Sequence, residues 1–251
     1  MTLFSLLLLA ALLPSSARSV SVDVGIINGT KAKPHSRPYM VSVQSKKQHI
    51  CGGFLVSEHF VMTAAHCWNQ GEKLMVVLRA DDLLNTRSLF SVAVKFYHIH
   101  PSYDSETYTN DIMLLQLNKA VKKSKEINWI PIPAKDKEVK PKQICSVAGW
   151  GKQQTKGAIS DHLMEVDVSI IDKKVCQKYW KIYSTSRMVC AGGHGGFCQG
   201  DSGGPLVCKG TAVGIISFTD TKSCNFPEKP NVYTKISKFL PWIKIILGSI
   251  E

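Results

Sequence analysis

Between Met40 and Leu117 the chain is built from short apolar and β-branched runs at residues 40–43, 53–63, 75–78, 89–97 and 112–117, separated by turn-forming or charged residues. Runs of this length and make-up form strands rather than helices, which commits this half of the chain to an all-β fold. A polar, lysine-rich connection leads to Ile130, and the pattern resumes at residues 143–148, 163–171, 188–191, 205–209, 211–218 and 231–234. One helix is expected, from about Ser237, where Phe239, Ile243 and Ile246 recur at helical spacing and Gly248 can end it. A chain of 251 residues, 44% hydrophobic, can bury a sizeable core, and β-rich folds of this size commonly form one unit.

Three stretches carry chemistry. Residues 196–206, Gly-Phe-Cys-Gln-Gly-Asp-Ser-Gly-Gly-Pro-Leu, read as a nucleophile loop with Ser202 as the nucleophile. A serine hydroxyl is a poor nucleophile at neutral pH, so it needs a general base, a group to orient that base, and donors for a developing oxyanion. Gly200, Gly203 and Gly204 give the loop the freedom to aim the N–H groups of Gly200 and Ser202 at one point. Thr63-Ala64-Ala65-His66-Cys67 offers a histidine after an apolar run, and Asn110-Asp111-Ile112 offers an acid at the start of another. The order along the chain is His66, Asp111, Ser202.

These motifs, their order and their wide spacing resemble the chymotrypsin-like serine proteases, from Ile26 to the C-terminal helix. The segments 34–40 and 51–56 and the short stretch ahead of Ile26 are most similar to the granule-associated granzymes, mast-cell proteases (chymases) and cathepsin G. The resemblance implies two packed six-stranded antiparallel Greek-key β-barrels with a C-terminal α-helix, the trypsin-like serine protease fold. The barrels would span about 26–130 and 131–251, with a signal peptide and short propeptide in 1–25. It further implies peptide hydrolysis through an acyl-enzyme, with His66 as base, Asp111 orienting it and the Gly200 and Ser202 amides as oxyanion hole. Proteolytic release of Ile26 would send its ammonium to Asp201, and His49 matches a position that holds this aspartate in some zymogens. The family pattern pairs Cys51–Cys67, Cys145–Cys208, Cys176–Cys190 and Cys198–Cys224. The last of these bridges is absent from many granule proteases.

The same resemblance assigns the specificity pocket to Gly196, Phe197, Gln199, Ser217, Phe218, Thr219 and Asn231. Relatives that cut after Lys or Arg carry an aspartate where this chain has Gly196, so trypsin-like specificity is not expected. Thr219 replaces a glycine of open pockets and Phe197 a smaller residue, which argues for a medium or small uncharged residue such as Leu, Met, Val or Ala.

The eight cysteines, with no C-x-x-C pair, favour disulfides over zinc, and neither metal nor cofactor is called for. The apolar run from Leu3 to Leu13 is too short to span a bilayer and fits a secretory signal, cleaved after Ala17, Ser19 or Ser21. The expected location is therefore extracellular, with storage in secretory granules a further implication of the resemblance. Gly25 ahead of Ile26 does not suit activation by a trypsin-like enzyme. Asn28-Gly29-Thr30 is a glycosylation sequon. The net charge of +12 points to sulfated glycosaminoglycans or proteoglycans, or else to a solvated face; no motif for nucleic acid accompanies it. Other expected partners are protein or peptide substrates and serpin-type inhibitors. The competing reading is a catalytically weak or inactive protease homologue that binds polyanions or microbial surfaces through its basic face.

Overall fold

The computed structural model describes residues 26–193, 195–220, 224 and 229–250. The signal and propeptide expected in 1–25 lie outside them. The strands are β1 (Thr30–Lys31), β2 (Met40–Ser45), β3 (Gln48–Leu55), β4 (Phe60–Thr63), β5 (Leu74–Leu78), β6 (Phe90–Ile99), β7 (Met113–Leu117), β8 (Ile144–Gly149), β9 (Met164–Ile170), β10 (Met188–Gly192), β11 (Pro205–Cys208), β12 (Thr211–Phe218) and β13 (Asn231–Lys235). Helix α1 (Lys173–Tyr179) interrupts the second set, and α2 (Leu240–Leu247) closes the chain.

Two antiparallel barrels result. The first closes in the order β2-β3-β4-β7-β6-β5, and the second runs β9-β10-β13-β12-β11-β8 and closes through a β8–β9 pairing, with β1 added outside β9. In the first, β4 pairs with β7 across the intervening β5 and β6, a Greek-key connection. Among the described residues, closure leaves no long unpaired edge.

The apolar run at 53–63 is not one strand. Val56 and Ser57 both donate backbone N–H to the Phe60 carbonyl, and this turn splits the run into β3 and β4. Two further elements carried no sequence signal. β1 is too short to show a period, and α1 buries only Cys176, so no apolar stripe marks it. What starts α1 is Asp172, whose side chain accepts from Lys174 N at 2.8 Å and so caps the helix.

The chain ends are exchanged between the barrels. Ile26, fully buried, joins the second barrel's core with Val147, Leu206 and Tyr233, and Ile27 bridges to Gly196, although both precede the first barrel in sequence. At the other end Phe239, Leu240 and Ile243 pack into the core of the first barrel with Phe60 and Leu115, and His100 meets the rings of Phe239 and Trp242 at 5.2 and 5.3 Å. Burying such a side chain stabilises by about 1.5–3 kcal/mol. Each end thus ties one barrel to the other. Four disulfides, Cys51–Cys67, Cys145–Cys208, Cys176–Cys190 and Cys198–Cys224, take up all eight cysteines.

Candidate active site

Asp111, just ahead of β7, is fully buried and receives groups from both barrels. His66 N donates to its Oδ1 at 3.0 Å and His66 Nδ1 meets its Oδ2 at 2.8 Å. From the second barrel, Ser217 Oγ donates to the same Oδ2 at 2.6 Å and Thr234 Oγ1 donates to the Asp111 carbonyl at 2.8 Å. A carboxylate oxygen can only accept, so the hydrogen of the neutral imidazole sits on Nδ1 and Nε2 is left as the basic nitrogen. His66 lies in a 3-10 turn, Ala65–Cys67, that the Cys51–Cys67 bridge fastens to β3. Tyr108 stands edge-on to the His66 ring with centroids 5.4 Å apart, and packs in turn on Phe218 at 5.8 Å.

The Ser202 loop is seated against β3 and β4, the strands that hold the histidine turn. Gly52 N donates to the Ser202 carbonyl at 2.8 Å. Gly203 has φ +83°, and a Cβ there would run into the Thr63 hydroxyl and come within 2.5 Å of the Gly52 carbonyl, so only glycine lets the loop approach this closely. Gly200, at φ +98°, faces Gly151 under the same constraint, since an added Cβ would lie 2.9 Å from its Cα.

Beneath the loop Asp201 is fully buried, accepting from Gly151 N at 2.7 Å and Cys198 N at 3.0 Å. Burial pushes its carboxyl up to about 7, against the pull of those two N–H donors. His49 packs beside this loop and contacts Gly200: its Nε2 donates to the Gly200 carbonyl at 2.9 Å and its Nδ1 meets Ser42 Oγ at 2.8 Å. Burial holds His49 down to about 4, the Gly200 carbonyl acting in the opposite sense, so the ring is neutral at pH 7.

The expected pocket residues have varied placements. Asn231, 1% exposed, lies against Gly196, where an added Cβ would come 2.9 Å from its Nδ2. Its Nδ2 also donates to the Phe197 carbonyl at 3.4 Å. Phe197 is 3% exposed, with its ring edge-on to Tyr233 at 5.3 Å inside the second barrel. The Ser217 hydroxyl is given to Asp111. Phe218 is flanked by Tyr108 and by Trp180, whose ring is 5.2 Å away. Thr219 Oγ1 is buried with no hydrogen-bond partner among the described residues, and Gln199 is exposed. Residues 221–223 and 225–228, which flank Cys224, are outside the description. Asn28, in the turn that follows Ile26, is exposed. Cys51, Cys67 and His66 lie close together, but both sulfurs are held in a disulfide and offer a metal no thiolate.

Tyr108, Trp180 and Thr234 were not singled out from sequence. No local pattern marks them, since each matters only through residues far away in the chain.

A sequence profile described as Trypsin matches residues 26–243. The chain belongs to the trypsin family. This trypsin-family protein is 40% identical over 254 residues to granzyme-like protein 1 of Rattus norvegicus, covering 97% of this chain and 98% of the relative. It is 42% identical to duodenase-1 of Bos taurus, over 95% and 94% of the two chains, and 38% identical to cathepsin G of Homo sapiens, over 98% and 95%. Among solved structures, neuropsin, described as a serine protease expressed in the limbic system of mouse brain, matches with a TM-score of 0.82 at 34% identity, over 88% of this chain and 100% of that one. By this membership the protein is a serine endopeptidase. Among the described residues, no helix is long and apolar enough to cross a membrane.

Proposed function

We propose that this endopeptidase cleaves peptide bonds by attack of Ser202 Oγ on the scissile carbonyl, with His66 Nε2 taking the proton and Asp111 holding the imidazolium. The Gly200 and Ser202 amides receive the oxyanion. The acyl-enzyme then yields to water as His66 returns the proton. The observation that carries this reading is the pair of contacts from His66 to the buried Asp111, one to each carboxylate oxygen. They leave Nε2 as the free imidazole nitrogen, and the serine loop docks on Gly52 and Thr63, in the strands that hold the histidine turn.

Activation follows from Asp201. A buried carboxyl pushed up to about 7 gains from a cation, and cleavage ahead of Ile26 frees an ammonium on a residue already in the same core. The pocket reading is a small or medium uncharged residue at the cleavage site. Gly196 brings no carboxylate and the Asn231 amide occupies the space beside it; Thr219, in place of the glycine of open pockets, narrows the entrance in this reading. The partners are protein or peptide substrates, serpin-type inhibitors and sulfated glycosaminoglycans. The protein acts after secretion, with storage in granules, and Asn28 is its glycosylation site.

The test is labelling with a fluorophosphonate probe after residues ahead of Ile26 have been removed, alongside peptide hydrolysis. Because the three residues act as a unit, Ser202→Ala or His66→Ala alone should cut kcat by about a million-fold. Retention of most peptidase activity by Ser202→Ala would overturn the assignment. A parent protein that neither labels nor cleaves would favour the inactive, polyanion-binding homologue.

A further inference from the structure

Two consecutive residues of the first barrel are held by two neighbouring residues of the second. The Asp111 carbonyl accepts from Thr234 Oγ1, and one residue earlier Asn110 Oδ1 accepts from Arg187 Nη1. Arg187 directly precedes β10, where Met188 pairs with Thr234 of β13, and Lys235 N donates to the Arg187 carbonyl at 2.8 Å. On its other side Arg187 N donates to the Ser184 carbonyl at 3.3 Å. The backbone that carries this guanidinium is thus fixed in the second barrel before the side chain reaches the first.

Asn110 is 5% exposed and sits at φ +59°, a left-handed conformation that asparagine tolerates better than most residues with a Cβ. Its Nδ2 donates to the Ser102 carbonyl at 2.6 Å. A carbonyl can only accept and a guanidinium can only donate, so these two contacts fix which way the amide faces. With Arg187 absent, Oδ1 would lose its donor in a site nearly closed to water, and the left-handed turn would lose one of its side-chain ties. Arg187 stands at the root of the loop 100–112, where the two limbs meet: His100 N donates to the Ile112 carbonyl at 3.1 Å. Burial, and after it the charge of Arg187, holds the His100 ring below the ordinary histidine value.

We propose that Arg187 is a positioning residue for the reaction: through Asn110 it holds the turn that aims Asp111 at His66. The proposal rests on the triad reading above. Asp111 meets His66 twice, at the backbone N–H and at Nδ1, 3.0 and 2.8 Å away. Hydrogen bonds weaken steeply as their angles open, so a small turn of the chain at residue 110 would spoil one of the two. Ser217 and Thr234 hold Asp111 itself, whereas Arg187 sets the direction from which the chain enters it.

The experiment measures kcat and KM on a peptide substrate, the pH dependence of kcat/KM, and thermal unfolding, for the activated protein and its variants. Arg187→Ala should lower kcat about ten-fold with KM within about two-fold of the parent, because the carboxylate is misdirected while the substrate cleft is untouched. The acid limb of kcat/KM, which reports His66, should move to lower pH, since a misdirected Asp111 stabilises the imidazolium less. Arg187→Lys can still donate to Asn110 and should recover most of kcat and the parent profile. In Asn110→Gly, which keeps the left-handed turn without the amide, adding Arg187→Ala should lower kcat by less than about two-fold further.

A lower unfolding temperature in Arg187→Ala with kcat unchanged would reduce the arginine to a structural tie and overturn the proposal. So would a ten-fold loss that persists in the Asn110→Gly background, or an acid limb displaced to higher pH, since the guanidinium would then act through space and not through Asn110. Ser202→Ala separates the two levels. If it abolishes hydrolysis while the Arg187 variants match the parent, the positioning alone falls; hydrolysis that survives Ser202→Ala would overturn the triad reading and this proposal with it.

Discussion

Ser217 Oγ donates to Asp111 Oδ2 at 2.6 Å, on the same oxygen that meets His66 Nδ1. Ser217 belongs to the second barrel and His66 to the first, so the acid is held from both sides of the cleft. Removing one of the three donors to this buried carboxylate leaves it freer to rotate and poorer at orienting the imidazole. Ser217→Ala should therefore lower kcat by about ten-fold with KM nearly unchanged and the fold intact. Steady-state kinetics on a peptide substrate check this; an unchanged kcat would remove Ser217 from the positioning of the acid.

His49 supplies a pH dependence. Its folded pKa, about 4, lies below the ordinary histidine value near 6.5, because burial opposes the charged ring. A group depressed in the folded state contributes stability that is present above its unfolded pKa and is lost as pH falls through its folded one. Stability should thus decline between about pH 6.5 and 4, by on the order of 3 kcal/mol from this group. His49→Gln should flatten that part of the curve. Denaturant unfolding at a series of pH values measures it, and an identical slope in the variant would rule His49 out as the cause.

Under the proposed pocket assignment, the packing of Asn231 against Gly196 limits a change of specificity. An aspartate at 196 would place its Cβ 2.9 Å from Asn231 Nδ2, and the amide would both crowd and hydrogen-bond the new carboxylate. Gly196→Asp alone should cleave poorly after Lys or Arg. Adding Asn231→Gly should raise kcat/KM on Lys substrates by about ten-fold or more over the single variant. Equal rates on Lys substrates for the single and double variants would show that Asn231 does not obstruct the pocket.

The sequence by itself determined the features that are written locally. The apolar runs marked most strands because alternation and β-branching act within a few residues, and the segments around His66, Asp111 and Ser202 were legible because each is a compact motif. Helical spacing and a terminal glycine were enough for α2. Other features were decided only by the tertiary structure, since they depend on which distant residues meet. Phe197 reads in sequence as a bulky pocket wall, yet its ring lies on Tyr233 in the second barrel's core. Ser217 reads as pocket lining and gives its hydroxyl to Asp111. The exchange of chain ends between the barrels has no local signal at all. Local propensity depends on neighbours in the chain, whereas partner choice depends on how the barrels close and pack on each other, which brings together residues a hundred or more positions apart, such as Asp111 and Ser217.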